Sequence, residues 1–306
     1  MKPRGIPSFL RSFVSDGVRG TWQAAVRGAR VHHAQRAGLF VCEEDPTPRA
    51  SSLKLDIVVP AIEKDLPTLP WVIQQARKNL LHPIDTIYVV SPASQAIRQL
   101  CDVLECAFID ENELLPDIRS RIDYVVGGLN RAGWMYQQFL KLSGDRFCRQ
   151  ENYLVIDADT LLIRPQTFER HGRFVFNFAD EFHEPYFQVF ERLLGYPAPC
   201  PVSLTSHHIL INKSFLASLK DDLEERNGCI WHQAILAAID TTVHSGHSDY
   251  ETYGQYVISK HPDQVCLEYF KNSSQPRELL PHLPDLLPRL SRLHKSISLH
   301  SWNATT

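Results

Sequence analysis

Two aspartates separated by one alanine, Asp157-Ala158-Asp159, follow an apolar run in this 306-residue chain. The run, residues 152–156, contains tyrosine, leucine, valine and isoleucine, which favour a buried strand. In an extended chain, side chains two positions apart point to the same side and lie roughly 7 Å apart. One divalent ion with its waters could bridge both carboxylates while Ala158 points away. An ordinary solvated strand end has the same pattern, so the rest of the chain must decide between the two.

The composition excludes several classes of protein. The chain is 43% hydrophobic and 22% charged with a net charge of −3, which fits a soluble domain with a full core and predicts no nucleic-acid partner. Seven scattered cysteines without a C-x-x-C pair predict neither a zinc site nor a disulfide framework. No run has the length of a membrane-spanning helix and the amino terminus lacks a signal-like apolar core, so a cytoplasmic location is expected.

Hydrophobic periodicity predicts the elements that position the aspartates. Residues 55–60, 86–92 and 107–111 are predicted strands, and residues 66–80 and 93–104 are predicted helices. This alternation is typical of βαβ units and a mostly parallel sheet flanked by helices. No glycine-rich dinucleotide or P-loop motif opens these helices, which disfavours a dinucleotide enzyme or a P-loop ATPase.

Residues 1–50 are predicted to be a basic amphipathic extension ending in a linker, with residues 51–306 as the main domain. Up to Cys42 the only acid is Asp16, against seven lysines and arginines. Gly17 and Gly20 interrupt the pattern, so two short helices are predicted. Their apolar stripe could pack on the domain or rest on an anionic membrane surface, which would make the protein peripheral to the membrane. The stripe comprises Leu10, Val14, Val18, Trp22 and Val26.

Four short motifs in chain order carry a resemblance. They are Gly-Trp-x-x-Gln-Gln at 133–138, Asp-x-Asp at 157–159, Tyr-Glu-x-Tyr-Gly at 250–254 and His-x-Trp at 300–302. As a set they resemble a bacterial branch of the GT-A-type glycosyltransferases, over about residues 53–303. The resemblance implies an α/β, Rossmann-like, mixed and mostly parallel sheet. It also implies sugar transfer from a nucleotide-sugar to a glycan or lipid-linked acceptor, in surface polysaccharide or lipopolysaccharide synthesis.

The same resemblance implies a metal and a donor site. Asp157 and Asp159 would hold Mn²⁺ or Mg²⁺ on the donor diphosphate, with His300 as a third ligand whose imidazole shifts the preference towards Mn²⁺. The ion would neutralise the charge that develops on the leaving group. The residues expected to bind the nucleotide-sugar are Pro60, Ala61, Glu63, Arg131, Trp134, Gln137, Gln138, Lys141, Asp157, Ala158 and Lys295. On a surface helix, Gln137, Gln138 and Lys141 need no such role.

An inverting reaction, which is favoured here over a retaining one, needs a carboxylate that deprotonates the acceptor hydroxyl. Glu251, with Asp249 nearby, lies at the distance after the aspartate pair where inverting relatives carry this base. Asp180 and Glu181 are the second choice, and Glu251 could instead be a helix-start acid favoured by the helix dipole. The residues expected on the acceptor side are His183, His207, His208 and Tyr253.

Two other classes stay open at this point. A sugar nucleotidyltransferase uses similar carboxylates, but it usually opens with a glycine-rich basic loop, which residues 60–65 are not. A non-catalytic carbohydrate-binding or membrane-associated protein would keep the fold without needing the metal.

Overall fold

A computed structural model describes residues 8–300 of the chain, with side chains from Trp22 onward. Its α-helices are α1 (Ser8–Arg36), α2 (Leu69–Asn79), α3 (Gln95–Val103), α4 (Glu111–Leu114), α5 (Ala132–Lys141), α6 (Glu184–Leu194), α7 (Lys213–Asn227), α8 (Trp231–Ala238), α9 (Asp249–Lys260) and α10 (Leu283–Leu290). Its strands are β1 (Val41–Cys42), β2 (Leu55–Pro60), β3 (Ile84–Ser91), β4 (Ala107–Asp110), β5 (Val125–Val126), β6 (Leu129–Asn130), β7 (Asn152–Ile156), β8 (Thr160–Leu162), β9 (Glu169–Arg170), β10 (Arg173–Phe178), β11 (His208–Asn212), β12 (Val265–Tyr269), β13 (Asn272–Pro276) and β14 (Ser296–His300).

The central sheet has the strand order β11-β7-β2-β3-β4. All neighbours are parallel except β11, which runs antiparallel to β7. The chain first builds outward from β2 to β3 and β4, and later adds β7 on the opposite side of β2. The strand order therefore reverses between β2 and β7, which leaves a crevice at their carboxyl ends. The predicted α/β class, with a mostly parallel sheet flanked by helices and an amino-terminal helix, is confirmed.

Hydrophobic side chains cover both faces of this sheet. Val58 and Val155 belong to one buried cluster, while Ile57 and Leu154 belong to another. Because successive side chains of a strand point to opposite faces, this division fixes the register of the inner strands. Phe139 of α5 joins the first cluster, so α5 is held firmly against the sheet.

The prediction that Asp157 and Asp159 share one side of a continuous strand is wrong. β7 ends at Ile156, and the two aspartates lie in a turn in which the backbone N–H of Thr160 donates to the carbonyl of Asp157 at 3.0 Å. After the turn the chain enters β8, which belongs to a separate sheet of order β13-β14-β8. The turn arises because β8 pairs with β14 instead of continuing β7.

The amino-terminal extension forms one helix, α1, where two were predicted. Gly17 and Gly20 lie inside it, each at a cost of about 1 kcal/mol relative to alanine. The second half of α1 docks on the domain, with Ala34 fully buried, and this contact stabilises a continuous helix. Leu10, Val14 and Val18 lie outside the residues with described side chains, whereas Trp22 is 70% exposed. No helix within residues 8–300 is long and apolar enough to cross a bilayer.

The extension also adds a strand to the domain. β1 pairs in parallel with β12, in a sheet of order β1-β12-β10-β9. Cys42 forms a disulfide with Cys266, and the two Cα atoms are 6.2 Å apart. The cysteine spacing gave no sign of this pair, because 224 residues separate its members and only the β1-β12 pairing brings them together.

Candidate functional site

A cavity of about 550 Å³ opens where the strand order reverses. Pro60 and Ala61, at the end of β2, line one part of it, and Asp157, Ala158 and Asp159, after β7, line another. Open α/β sheets bind their ligands at such a crevice, beyond the carboxyl ends of the strands. The sheet topology thus places the two aspartates in a cavity where a ligand could bind.

Asp159 and His300 meet in this cavity from distant parts of the chain. Asp159 Oδ2 lies 3.2 Å from His300 Nδ1, and both residues line the cavity. The pairing of β8 with β14 brings them together, and Leu299 N–H donates to the Asp159 carbonyl at 2.8 Å. The His-x-Trp motif is described only as far as His300, because Trp302 lies outside the described residues.

The oxygen and nitrogen atoms of Asp159 and His300 are suitable ligands for a divalent metal ion. A carboxylate oxygen and an imidazole nitrogen are ligands that Mn²⁺ accepts. Within residues 22–300, no three histidine, cysteine, aspartate or glutamate side chains form a complete metal cage. An ion at Asp159 and His300 would therefore take further ligands from water or from a substrate, as Mg²⁺ does when one or two carboxylates and substrate phosphates hold it.

The Asp157 carboxylate is already engaged on both oxygens. Lys141 Nζ lies 2.7 Å from Oδ1, and the Tyr250 hydroxyl donates to the same oxygen at 2.7 Å. His207 Nδ1 lies 3.2 Å from Oδ2. Burial by itself would raise the pKa of Asp157, but the neighbouring Lys141 and His207 outweigh burial and hold that pKa well below its usual range. Asp157 thus anchors two cations at the cavity wall.

Lys141, the last residue of α5, is a buried cation facing the cavity. Its side chain is 2% exposed, and Nζ donates to the Tyr250 hydroxyl at 2.8 Å and lies 3.6 Å from Asp249 Oδ1. Burial lowers the pKa of Lys141, but Asp157 and Asp249 together outweigh burial and raise it. Lys141 therefore keeps its charge at neutral pH. Burial also raises the pKa of Asp249 to about 6.

Two adjacent histidines have opposite environments. His207, with a left-handed φ of 64°, places its ring between Asp157 and Glu181, whose Oε2 lies 3.3 Å from Nε2. Burial lowers its pKa, but these two carboxylates prevail and raise the pKa to about 10. His208 points into the core, with Nε2 2.9 Å from Asn177 Oδ1, and burial lowers its pKa to about 3. His208 does not line the cavity, so the structure does not bring this predicted acceptor residue to the site.

Of the four carboxylates predicted as bases, Glu181 alone lines the cavity, and its side chain is 61% exposed. Glu251 is buried and its Oε1 accepts from Ser203 Oγ at 2.6 Å and from the Leu204 N–H at 2.7 Å. The start of α9 turns Glu251 inward to anchor this loop, so the structure does not bring the first-choice base to the site. Asp249 is buried beside Lys141, and Asp180 pairs with Arg27.

Helix α5 and its N-cap residue Arg131 present polar side chains to the cavity. Arg131, Trp134, Gln137, Gln138 and Lys141 all line the cavity. The Arg131 guanidinium lies over the Trp134 ring, 4.4 Å from its centroid, and Gln138 Oε1 accepts from the Asp249 N–H at 3.0 Å.

Two predicted donor-binding residues lie elsewhere. Lys295, which immediately precedes β14, forms an ion pair with Glu268 of β12. It does not line the cavity. The exposed Glu63 accepts a hydrogen bond from Ser94 Oγ at 2.7 Å outside the cavity. The local sequence around Lys295 and Glu63 does not predict these partners, because Glu268 and Ser94 come from other segments of the chain.

Two further predicted acceptor residues lie behind the cavity wall. His183 Nε2 is 2.8 Å from the Ser245 carbonyl, and the His183 ring packs edge-on against Tyr186, which lines the cavity. Tyr253 is fully buried and its hydroxyl accepts from the Asn212 N–H at 2.8 Å. Tyr186 was missed, although it lies only three residues after the predicted acceptor residue His183.

The Tyr-Glu-x-Tyr-Gly motif is mainly structural, apart from its first residue. Tyr250, which sequence reasoning assigned no role, contacts both Asp157 and Lys141. Gly254 allows close packing, because a Cβ atom there would lie 2.3 Å from Leu204 Cδ1. Tyr250 is the first residue of the Tyr-Glu-x-Tyr-Gly motif, and this position could have identified it as a candidate site residue.

Comparison with known proteins places the chain in a family. No curated protein matches it. Glucosyl-3-phosphoglycerate synthase from Mycobacterium tuberculosis, with Mn²⁺, uridine diphosphate and phosphoglyceric acid, is 13% identical with a TM-score of 0.46, covering 83% of this chain and 86% of that chain. The same synthase with Mn²⁺ and uridine-diphosphate-glucose is 13% identical with a TM-score of 0.44, covering 76% of each chain. At this identity and TM-score the likeness says nothing about substrate or reaction. A family model matches residues 76–300, and the chain therefore belongs to the family of unknown function DUF6492.

Proposed function

We propose that this protein is a metal-dependent glycosyltransferase that uses a nucleotide-sugar donor. The observation that carries the proposal is the Asp159 and His300 pair, 3.2 Å apart, in a cavity that the buried cation of Lys141 also lines. A leaving nucleoside diphosphate develops negative charge, and fixed positive charges in a water-poor site stabilise that charge in the transition state. The cavity lies where nucleotide-binding α/β sheets take their ligands.

In this proposal Asp159 and His300 hold Mn²⁺ or Mg²⁺. When bound, the ion neutralises charge on the leaving diphosphate. Asp157 keeps Lys141 in place, and Tyr250 restrains the same ammonium group, so this second cation needs little reorganisation during the reaction.

The donor is proposed to lie along α5. From Arg131 to Lys141 the helix rises about 15 Å, at about 1.5 Å per residue. Arg131 and Trp134 line the cavity at the start of the helix and offer a stacked planar surface for a nucleobase. Lys141, at the other end, stands next to the aspartate turn, where the diphosphate would lie.

Glu181 replaces Glu251 as the proposed base of an inverting reaction. It lines the cavity. Desolvation at the cavity wall raises the pKa of Glu181, but the hydrogen bond and the charge of His207 outweigh this, lower the pKa and keep Glu181 ionised. An ionised carboxylate at the cavity surface can accept the proton of an acceptor hydroxyl. The proposed acceptor is a glycan or a lipid-linked glycan, and nuclear magnetic resonance of the product anomer would distinguish inversion from retention.

Calorimetry of the full chain with Mn²⁺ and a panel of nucleoside diphosphates tests the proposal. We expect diphosphate binding that requires Mn²⁺ in the wild type and in the control Glu63→Gln, which alters an exposed acid outside the cavity. Absence of metal-dependent binding for every diphosphate would contradict a transferase. With nucleotide-sugars, release of a nucleoside diphosphate supports transfer, whereas release of pyrophosphate from a nucleoside triphosphate would indicate a nucleotidyltransferase.

Attachment to a membrane through residues 1–50 is a separate part of the proposal. The basic residues of α1 are its support, because anionic lipids attract such a helix. Flotation of the full chain with anionic and with neutral vesicles tests it. Equal recovery with both would contradict an electrostatic membrane contact.

A further inference from the structure

Three consecutive residues after β10 face two different sides of the molecule. Glu181 lines the cavity, while both of its neighbours contact α1. Arg27 Nη1 donates to both carboxylate oxygens of Asp180, at 2.8 and 2.6 Å. The Arg30 guanidinium lies over the Phe182 ring, 3.7 Å from its centroid. Two arginines of the amino-terminal helix thus hold the chain on either side of Glu181.

The contact between Arg27 and Asp180 is built more firmly than a surface ion pair. The side chains are 25% and 26% exposed, so solvent screens them less than a fully exposed pair. The guanidinium stacks on Tyr269, 3.9 Å from the ring centroid, and the Tyr269 hydroxyl donates to Asp180 Oδ2 at 2.8 Å. A planar guanidinium fixed by stacking loses little further freedom when it binds a carboxylate.

We propose that Arg27 is a positioning residue for the cavity, which fixes Asp180 and thereby sets Glu181 against His207. This inference rests on the proposed function, in which Glu181 takes the acceptor proton. Adjacent Cα atoms are only about 3.8 Å apart, so any backbone shift at Asp180 carries Glu181 with it. His207 in turn contacts Asp157, and a chain of contacts therefore connects α1 to the anchor of the Lys141 cation.

A double-mutant cycle of Arg27→Ala and Glu181→Gln tests the inference. Arg27→Ala removes both charged hydrogen bonds to Asp180, and we expect it to lower kcat about tenfold while the donor KM stays unchanged. In the Glu181→Gln background the same change should have no further effect, because effects that act through one residue do not multiply. The matched control is Arg36→Ala, an exposed arginine at the end of the same helix, which should behave as the wild type.

A full multiplication of the two single effects, or a wild-type kcat in Arg27→Ala, would overturn the inference. If Arg27→Ala does not fold, Tyr269→Phe removes only the hydroxyl that donates to Asp180 and should lower kcat in the same direction.

Hydrogen exchange provides a readout that does not depend on turnover. Amides of residues 180–183 should exchange faster in Arg27→Ala than in Arg36→Ala. Equal exchange in the two variants would contradict the proposal that Arg27 holds this segment. A wild type with no turnover on any nucleotide-sugar would refute the proposed function, while the exchange result would still decide whether Arg27 holds the loop.

Discussion

Within residues 22–300, two lysines are buried in ion pairs, one at the cavity and one between two sheets, and they differ in how their acidic partners are engaged. Lys141 is 2% exposed and Lys295 is 6% exposed. Lys295 and Arg170 pair with different oxygens of Glu268, so both oxygens of that carboxylate are engaged. The Lys141 cluster instead lines a cavity of about 550 Å³.

The two clusters differ in the ratio of acids to cations and in the hydrogen bonds that the acids make. Around Lys141, Asp157 and Asp249 share one ammonium group, and neither Asp249 oxygen makes a hydrogen bond within the described part of the chain. Around Glu268, two cations share one carboxylate away from the cavity. A buried lysine and acid therefore do not mark a functional site by themselves. The feature that points to a functional site is that the Lys141 cluster lines a cavity, whereas the Lys295 cluster does not.

Asp159→Ala should have the largest effect on activity. It removes the proposed carboxylate ligand, and because a metal ion supplies several kcal/mol of charge stabilisation, we expect turnover to fall roughly a thousandfold. Steady-state release of nucleoside diphosphate measures this. Circular dichroism should show an unchanged fold, since Asp159 lies in a turn. Turnover close to that of the wild type would refute the assignment.

Glu268→Gln should have the opposite profile. It leaves Lys295 and Arg170 without a buried counter-charge, which costs about 3 kcal/mol of the free energy of unfolding. Urea unfolding measures that loss, and kcat of the folded enzyme should not change. A fall in kcat at unchanged stability would show that the Glu268 cluster takes part in the reaction, and that the two buried clusters do not differ in function.

Lys141→Gln should weaken diphosphate binding by about tenfold, because a charged hydrogen bond contributes about 1.5 kcal/mol or more. Calorimetry in the presence of Mn²⁺ measures the affinity. The counterpart change, Lys295→Gln, should leave that affinity unaltered. Equal losses in both variants would mean that the two buried lysines are not functionally different.

The smallest effects concern the pH dependence of stability. The folded pKa of His207, about 10, lies above its ordinary value of 6.5, so its contribution is full below pH 6.5 and is lost as the pH rises towards 10. The folded pKa of His208, about 3, lies below 6.5, so its contribution is present above pH 6.5 and is lost as the pH falls towards 3.

Substituting each histidine by glutamine should therefore flatten opposite limbs of the stability profile. The change is at most about 1.4 kcal/mol per pH unit for each group. Urea unfolding between pH 4 and pH 9.5 measures it. Identical profiles for the two variants would contradict the opposite environments of these neighbours.

Local patterns predicted the fold and part of the site. The alternation of strands and helices gave the parallel sheet, and the Gly-Trp-x-x-Gln-Gln motif drew attention to Trp134, Gln137 and Gln138, which line the cavity. These signals are short in sequence range, so they can be read without knowing the tertiary structure.

Contacts between residues far apart in the sequence determine the parts of the site that local patterns could not predict. Glu251 at a helix start has the same local pattern whether it acts as a base or anchors a loop, and its partner Ser203 lies 48 residues away. The turn at the aspartates depends on β8 pairing with β14, and His300 meets Asp159 across 141 residues. Lys295 was misassigned for the same reason, because Glu268 comes from another strand.

Anomalous diffraction at the manganese edge, from crystals soaked with Mn²⁺ and a nucleoside diphosphate, would locate the metal ion and the diphosphate in the protein. We predict an anomalous peak next to Asp159 and His300, with the diphosphate between that peak and Lys141, and no such peak in Asp159→Ala crystals. A peak elsewhere, or a diphosphate bound away from this cavity, would contradict the account.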